Sequence, residues 1–288
     1  MSRRYAGATR APLLRNATAL SARAVVDGTR AARGVGKEDE MADHTMRRER
    51  TPAVQRPAHR LGFGSALLLA LAAAAAFGIA ITTAPPRSGP FCLVDPCITY
   101  PYTDAAAFVP IDYLWMYPAL LLGPLFMLVT AYLHAQGSAE RRIFSLVGLS
   151  FAAIAAAILT MNYFVQLTVM QPSLLRGEVA GLEAFSQYNP HGVFIALEDI
   201  GYILMSVAFL FVASTIEPHD RPARLARALF FSSGMLSLGS LLVLAVIYGY
   251  DLEYRYEVAA ITITWIALSI GGVLLSLSFW RGPGEEGR

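Results

Sequence analysis

The chain has 288 residues, of which 55% are hydrophobic and only 15% are charged, and its mean hydropathy is +0.48. Water-soluble globular domains carry about 25% charged residues, so this composition excludes a soluble domain of this size. Residues 1–60 hold 13 of the 23 Lys and Arg residues but only 6 of the 21 Asp and Glu residues. The sequence therefore predicts a basic tail joined to a membrane-embedded body.

The predicted tail, residues 1–60, is rich in Arg, Ala and Gly and has few large apolar residues. Such a segment cannot bury enough apolar surface to offset its ordering entropy, so we expect it to be disordered. The acidic residues at 38–40 argue against an organelle presequence. A true start at Met41 or Met46 is an alternative, because either would leave a short basic leader before the first apolar run.

Six apolar runs follow, and each is long enough to cross a hydrocarbon core about 30 Å thick. They predict an all-α fold, a polytopic membrane helix bundle of six transmembrane helices over residues 61–280, followed by a short cytoplasmic tail at 281–288. The six predicted spans cover residues 61–83, 111–135, 143–170, 190–215, 225–250 and 258–280.

Two features of the predicted spans concern their packing. Small residues recur on one face of the third span, which favours close approach of a neighbouring helix inside the bundle over a dedicated dimer face. Between the third and fourth spans, apolar residues line one side of a short predicted helix that would lie in the interface plane. The small residues of the third span are Gly148, Ala152, Ala156 and Thr160. The apolar residues of the short predicted helix are Leu175, Val179 and Leu182.

The basic residues of the short loops predict the orientation of the bundle. One side holds the tail, Arg141, Arg142 and the arginines at 221–227, whereas the other side holds three arginines accompanied by acids. Tyr and Trp residues cluster on that second side, as they do at membrane interfaces. We therefore expect a plasma (inner) membrane protein with both its N-terminus and its C-terminus cytoplasmic.

The only two cysteines, Cys92 and Cys97, lie in the first predicted outer loop. The outer compartment is oxidising, so a local disulfide that rigidifies this loop is expected. A redox-active pair would usually have the closer spacing Cys-x-x-Cys.

Polar groups at membrane depth are the candidate functional residues, because they are costly to place there. At a rise of 1.5 Å per residue, Asn162 lies about 12 Å below the outer end of the third span, and Glu198 and Asp199 lie about 12–14 Å below it in the fourth. These groups are expected to share one layer in the outer half of the bundle. The candidate ligand-binding residues are Glu198, Asp199, Asn162, Gln166, Tyr202 and His191.

Within this layer Glu198 is predicted to be the central acid, oriented by Asn162, Gln166 and Tyr202, with His191 at the mouth. Asp199 points about 100° away from Glu198 around the helix, so only one of the two acids is expected to face the interior. No Lys, Arg or His lies at this depth in the predicted spans, so at least one acid is expected to be neutral or reached by water. The alternative is a structural acid that only fixes helix packing.

Signatures of cofactor and metal chemistry are absent from the sequence. It has no phosphate loop, no dinucleotide fingerprint and no Gly-x-Ser-x-Gly, so no cofactor is expected. A catalytic zinc ion would need three protein ligands, and His191, Glu198 and Asp112 would form such a set only by coincidence of the fold. We therefore expect no metal.

Three segments of the chain resemble an uncharacterised group of prokaryotic six-span integral membrane proteins. They are Cys-Ile-Thr-Tyr-Pro-Tyr-Thr-Asp at 97–104, Asp-Tyr-Leu-Trp-Met-Tyr-Pro at 112–118, and Ser-Gln-Tyr-Asn-Pro-His-Gly at 186–192 followed by Glu198. The resemblance covers residues 61–280 and implies an integral membrane protein. It implies no activity and transfers no functional residue, and the long N-terminal extension departs from it.

The leading functional hypothesis is a non-enzymatic transporter or sensor with a small-ligand or proton-linked site in the outer half of the bundle. The alternatives are a membrane-embedded enzyme acting on a lipid or other apolar substrate, and a structural or assembly subunit. The lack of an evident inverted repeat weakens the transporter hypothesis. The expected partners are the lipid bilayer and a small molecule, and no nucleic acid, because the tail lacks interleaved aromatic residues. The sequence leaves the oligomeric state open.

Overall fold

The computed structural model describes residues 59–93 and 95–281, and all regular secondary structure in this part of the chain is helical. The described residues contain six helical segments long and apolar enough to cross a membrane. The predicted all-α class and the six spans are therefore confirmed. The predicted disordered tail falls almost entirely on residues 1–58, outside the described part, as does most of the short C-terminal tail.

Six long helical segments form the bundle, and three of them are composite. The second crossing combines a 3-10 turn with two α-helices, the third contains a π-helical segment at Gln166–Met170, and the fifth ends in a 3-10 turn at Gly249–Asp251. The α-helices are α1 (His59–Thr83), α2 (Met116–Ala119), α3 (Leu122–Gln136), α4 (Arg142–Val165), α5 (Gln171–Arg176), α6 (Val193–Thr215), α7 (Arg221–Tyr248) and α8 (Tyr254–Arg281).

Local chemistry explains where several helices begin and end. Pro222 lies in the first turn of α7, where proline sacrifices no backbone hydrogen bond. Pro172 instead follows the π-helical segment inside the third crossing, where its missing N–H interrupts the regular hydrogen-bond ladder. Asp220 caps α7 by accepting a hydrogen bond from the backbone N–H of Ala223 at 2.7 Å. Helix α5 ends at Gly177, which has a positive φ of 72°.

Two predictions about the loops at these ends need correction. The short interfacial helix predicted around residues 175–182 is wrong, because the chain forms turns from Gly177 onward and Gly181 also adopts a positive φ. The sixth span begins at Tyr254, one turn earlier than predicted, so Glu257 lies inside α8. This second difference is central to the site described below.

Small residues allow the helices to approach closely, as predicted for the third span. A Cβ added at Gly148 of α4 would lie 3.1 Å from the Phe211 side chain of α6, and one at Gly123 of α3 would lie 2.7 Å from the Cα of Ala156. Gly148, Ala152 and Ala156 are all buried. The face predicted for packing inside the bundle therefore serves that role.

Helix α8 packs closely against α1 at Gly272, where an added Cβ would lie 2.7 Å from the carbonyl oxygen of Ala66. Replacing Gly272 with Ala should force the helices apart and destabilise the fold by about 1–3 kcal/mol. Thermal unfolding in detergent, followed by circular dichroism, measures the loss as a lower Tm. The matched control is Gly78→Ala in α1, where a Cβ would meet nothing within 4 Å. An equal Tm for the two variants would contradict this packing.

The bundle has two chemically different ends. The disulfide end consists of the loops at 84–110, 177–192 and 249–253, and it contains the Cys92–Cys97 disulfide with the two Cα atoms 5.9 Å apart. The arginine end carries Arg141, Arg142 and the arginines of the first turns of α7. The side of the membrane that each end faces remains the expectation drawn from loop charge.

Candidate functional site

An ion pair joins two segments at the disulfide end. Arg87 Nε donates to Asp112 Oδ2 at 2.6 Å, and a second guanidinium nitrogen lies 3.4 Å from Oδ1. The guanidinium also lies 3.7 Å from the centre of the Phe108 ring. The Asp112 side chain is only 3% exposed. The positive charge of Arg87 is therefore neutralised in place.

Tyr188 extends this ion pair to the loop before α6. Its hydroxyl donates to Asp112 Oδ2 at 2.9 Å. Burial, with Tyr113 and Asp112 nearby, raises the pKa of Tyr188, so the hydroxyl stays protonated and continues to donate. A parallel contact joins Ser88 Oγ to the Tyr254 hydroxyl at 2.8 Å. The loops of the disulfide end are thus tied to the first turn of α8.

A buried layer of polar side chains lies deeper in the bundle, centred on Glu198 of α6, which is fully buried. The Tyr163 hydroxyl of α4 donates to Glu198 Oε1 at 2.5 Å and lies 2.6 Å from the Tyr202 hydroxyl. The Tyr202 hydroxyl also accepts a hydrogen bond from Trp265 Nε1 of α8 at 2.8 Å. Three helices therefore converge on one acid.

The carboxyl group of Glu257, in the first turn of α8, lies within hydrogen-bonding reach of the Glu198 carboxyl group. Glu257 is 8% exposed, and its Oε2 has no hydrogen-bond donor among the described residues. Asp199 of α6 is close enough to both acids to interact electrostatically. Within the described part of the chain, no Lys, Arg or His forms an ion pair with these three acids.

A cavity of about 500 Å³ connects the acid pair to the disulfide end. Glu257 and Trp265 form part of its wall, and so do Arg87, Asp112 and Tyr188. Glu198 is not in the wall. The other polar side chains of the wall are Ser88, Gln187 and Thr262, and the rest of the lining is apolar and aromatic, including Phe77, Ile81, Phe91, Trp115, Tyr254, Val258 and Ile261.

The predicted site residues divide into two groups. Glu198, Asp199 and Tyr202 belong to the buried layer. The Asn162 side-chain amide donates to the Phe194 carbonyl at 2.9 Å, and the Gln166 side-chain amide donates to the Phe185 carbonyl at 2.7 Å, so both hold the entry to α6. His191 is exposed in the loop before α6.

Three members of the layer were not predicted: Glu257, Tyr163 and Trp265. Glu257 lies one residue before the sixth span predicted at 258–280, and the charged residues Asp251, Glu253 and Arg255 precede it. The signal that could have found it is helical periodicity, since Glu257 shares one face of α8 with the buried residues Ala260, Thr264 and Leu268.

The chemistry available at the site follows from its donor set. Among the described residues, no three His, Cys, Asp or Glu side chains are grouped so that they could hold a metal ion. In particular, Asp112 is engaged by Arg87 and Tyr188, Glu198 is engaged by Tyr163, and His191 is exposed at the surface. The arrangement offers carboxyl oxygens and aromatic faces, and these groups attract cations and exchange protons.

Comparison of the chain with protein-family models, curated proteins and solved structures finds no match. The structure itself shows a multi-pass helical membrane bundle. The functional argument therefore rests on the geometry of the buried acids and the cavity beside them.

Proposed function

We propose that this multi-pass membrane protein binds a small organic cation in the cavity beside Glu257 and releases a proton as it does so. It would act as a transporter or a sensor in the plasma membrane, with the disulfide end outside and both termini in the cytoplasm. The observation that carries the proposal is that two neighbouring buried acids, Glu198 of α6 and Glu257 of α8, each keep a carboxyl oxygen without a hydrogen-bond partner among the described residues, and that Glu257 lines the cavity.

The proton follows from the contact between the two acids. Two carboxylates within hydrogen-bonding reach in a buried site repel each other, and they can share a hydrogen bond only if one carries a proton. The Tyr163 hydroxyl already occupies one oxygen of Glu198. Since no Lys, Arg or His among the described residues pairs with these acids, burial favours the neutral pair with a proton on each carboxyl group. A cation that reaches Glu257 would replace one of these two protons, and the bound cation with the remaining proton would again leave the pair neutral. Binding should therefore be linked to the release of one proton.

The walls of the cavity favour an organic cation over a hydrated metal ion. Trp115, Trp265 and Tyr254 are among the lining residues, and aromatic rings attract organic cations through their faces. A volume of about 500 Å³ accommodates a molecule with a substantial apolar body. Arg87 does not oppose a positive ligand, because Asp112 neutralises its charge.

The exposed members of the lining show how such a ligand would enter. Ile81 at the end of α1 is 69% exposed, and Val258 in the second turn of α8 is 45% exposed. Both are apolar and lie on membrane-spanning helices, so this edge of the cavity faces the bilayer side of the protein. A cation with an apolar body would partition into that interface before entering.

Saturable binding of benzyltrimethylammonium to the purified protein in detergent tests the proposal. Trp115 and Trp265 line the cavity and are two of the three tryptophans, so their fluorescence, excited at 295 nm, reports binding. We expect the cation to bind about tenfold or more tightly than its uncharged isostere, neopentylbenzene, given the strength of desolvated cation–π and charge interactions. Equal binding of the two compounds, or no saturable binding of the cation, would refute the proposed site.

A further inference from the structure

A second cavity, of about 400 Å³, lies at the arginine end between α6 and α7. Arg224 and Arg227 of α7 contribute its basic side, and Ser214 of α6 contributes a hydroxyl group. The two arginines are three positions apart in the helix, so they lie on one face. This cavity shares no residue with the acid site.

The arginines are available to an external anion. Both side chains belong to exposed residues, and neither forms an ion pair within the described residues. The Ser214 hydroxyl donates to the Phe211 carbonyl at 2.6 Å, which leaves its oxygen able to accept. Two unpaired guanidinium groups on one face present the fork-shaped donors that match phosphate oxygens.

The cavity continues from the arginines onto an apolar surface. Leu210 of α6 and Phe231 of α7 line it, and Phe231 is 54% exposed one turn beyond Arg227. Since α7 is one of the membrane-spanning helices, these side chains lie where acyl chains would contact the protein. A soluble phosphate would use the arginines and leave this apolar extension without a role.

We propose that this cavity binds the headgroup of an anionic phospholipid, with an acyl chain along Leu210 and Phe231. The predicted orientation places it in the cytoplasmic leaflet, where anionic lipids are concentrated. Basic pockets between transmembrane helices on that side are suited to phospholipid headgroups.

Native mass spectrometry of the detergent-solubilised protein with phosphatidylglycerol or phosphatidylcholine tests the site. We expect a preference for phosphatidylglycerol, reduced about tenfold or more in the double variant R224Q/R227Q, which loses two basic contacts. The charge-matched control R142Q/R221Q removes two exposed arginines from the same end without touching the cavity. R224K/R227K keeps the charges but loses the fork-shaped donors, so its preference for phosphatidylglycerol should lie between those of the unmodified protein and R224Q/R227Q.

Three outcomes would overturn the lipid site. The first is equal phosphatidylglycerol binding in R224Q/R227Q and R142Q/R221Q, which would indicate attraction by net charge alone. The second is equal binding of phosphatidylglycerol and phosphatidylcholine by the unmodified protein. The third is complete displacement of the lipid by millimolar inorganic phosphate, which would assign the arginines to a free anion.

Discussion

Replacement of Glu257 by Gln is expected to weaken benzyltrimethylammonium binding about 100-fold, because losing one partner of a buried charge pair costs about 2–5 kcal/mol. Glutamine is close in size to glutamate and can still donate a hydrogen bond to Glu198, so the fold should persist. The Tm should stay the same or rise slightly, since one of two facing acids has been removed. Tryptophan fluorescence titration and thermal unfolding of the same preparation measure both quantities.

The control for this variant is Asp104→Asn, which removes an exposed acid from the disulfide end without altering the cavity wall. It should bind the cation as tightly as the unmodified protein at moderate ionic strength. If Glu257→Gln and Asp104→Asn bind the cation equally well, Glu257 is a structural acid and the cation site lies elsewhere. The structural role that the sequence analysis left as an alternative for the buried acid would then apply.

Asp112→Asn is expected to destabilise the protein by about 2–3 kcal/mol, because the Asp112 carboxylate is 3% exposed, accepts from both Arg87 and Tyr188, and supplies the counter-charge of the Arg87 guanidinium. It also exchanges the charged carboxylate that accepts the hydrogen bond of the Tyr188 hydroxyl for a neutral amide. The positive charge released in the cavity wall should weaken cation binding as well. Thermal unfolding in detergent measures the first effect, and fluorescence titration measures the second.

Two further variants separate the lost ion pair from general damage. Glu253→Gln breaks the Arg255–Glu253 pair, whose side chains are 22% and 20% exposed, and it should cost about 1 kcal/mol or less. The double variant R87Q/D112N leaves no unpaired charge, so it should be more stable than Asp112→Asn alone. A double variant less stable than Asp112→Asn would contradict the assignment of Arg87 and Asp112 as partners.

The spans and the burial of Glu198 in the bundle could be predicted from the sequence, because both depend on regularities that act locally. Long apolar runs form helices in a bilayer, and a constant rise per residue converts sequence position into depth. The sequence therefore predicts a layer that contains Glu198 and Tyr202, and both side chains are buried. Asn162 is buried as well, but it donates to the Phe194 backbone carbonyl instead of to the acid.

Glu257 could not be placed by the same reasoning. The charged residues just before it are typical of a loop, whereas its spacing from the buried residues of α8 is typical of a helix. Three charged residues at 251–255 indicate a loop, and the predicted sixth span begins at residue 258, directly after Glu257. In the structure the helix begins at Tyr254, so Glu257 enters the bundle and meets Glu198. A carboxyl group tolerated there requires a partner on another helix, and the sequence does not show which residue faces it.

The ion pair at the disulfide end illustrates a second limit. Arg87 and Asp112 are 25 residues apart, and Tyr188 lies a further 76 residues from Asp112. Hydropathy and periodicity describe each helix separately. This contact depends instead on how the loops that carry Arg87 and Tyr188 fold over the 3-10 turn that carries Asp112. The sequence therefore identifies Asp112 only as one member of a zinc-ligand set, with His191 and Glu198, that would form by coincidence of the fold.

The most direct test of the central claim is the number of protons released when the cation binds. Benzyltrimethylammonium has a permanent charge, so any proton released comes from the protein. Isothermal titration calorimetry near pH 7, in two buffers of different ionisation enthalpy, counts those protons. The account predicts about one proton per bound cation, with affinity that increases as pH rises because protons compete for the Glu198–Glu257 pair. Saturable binding with no proton release and no pH dependence would contradict it.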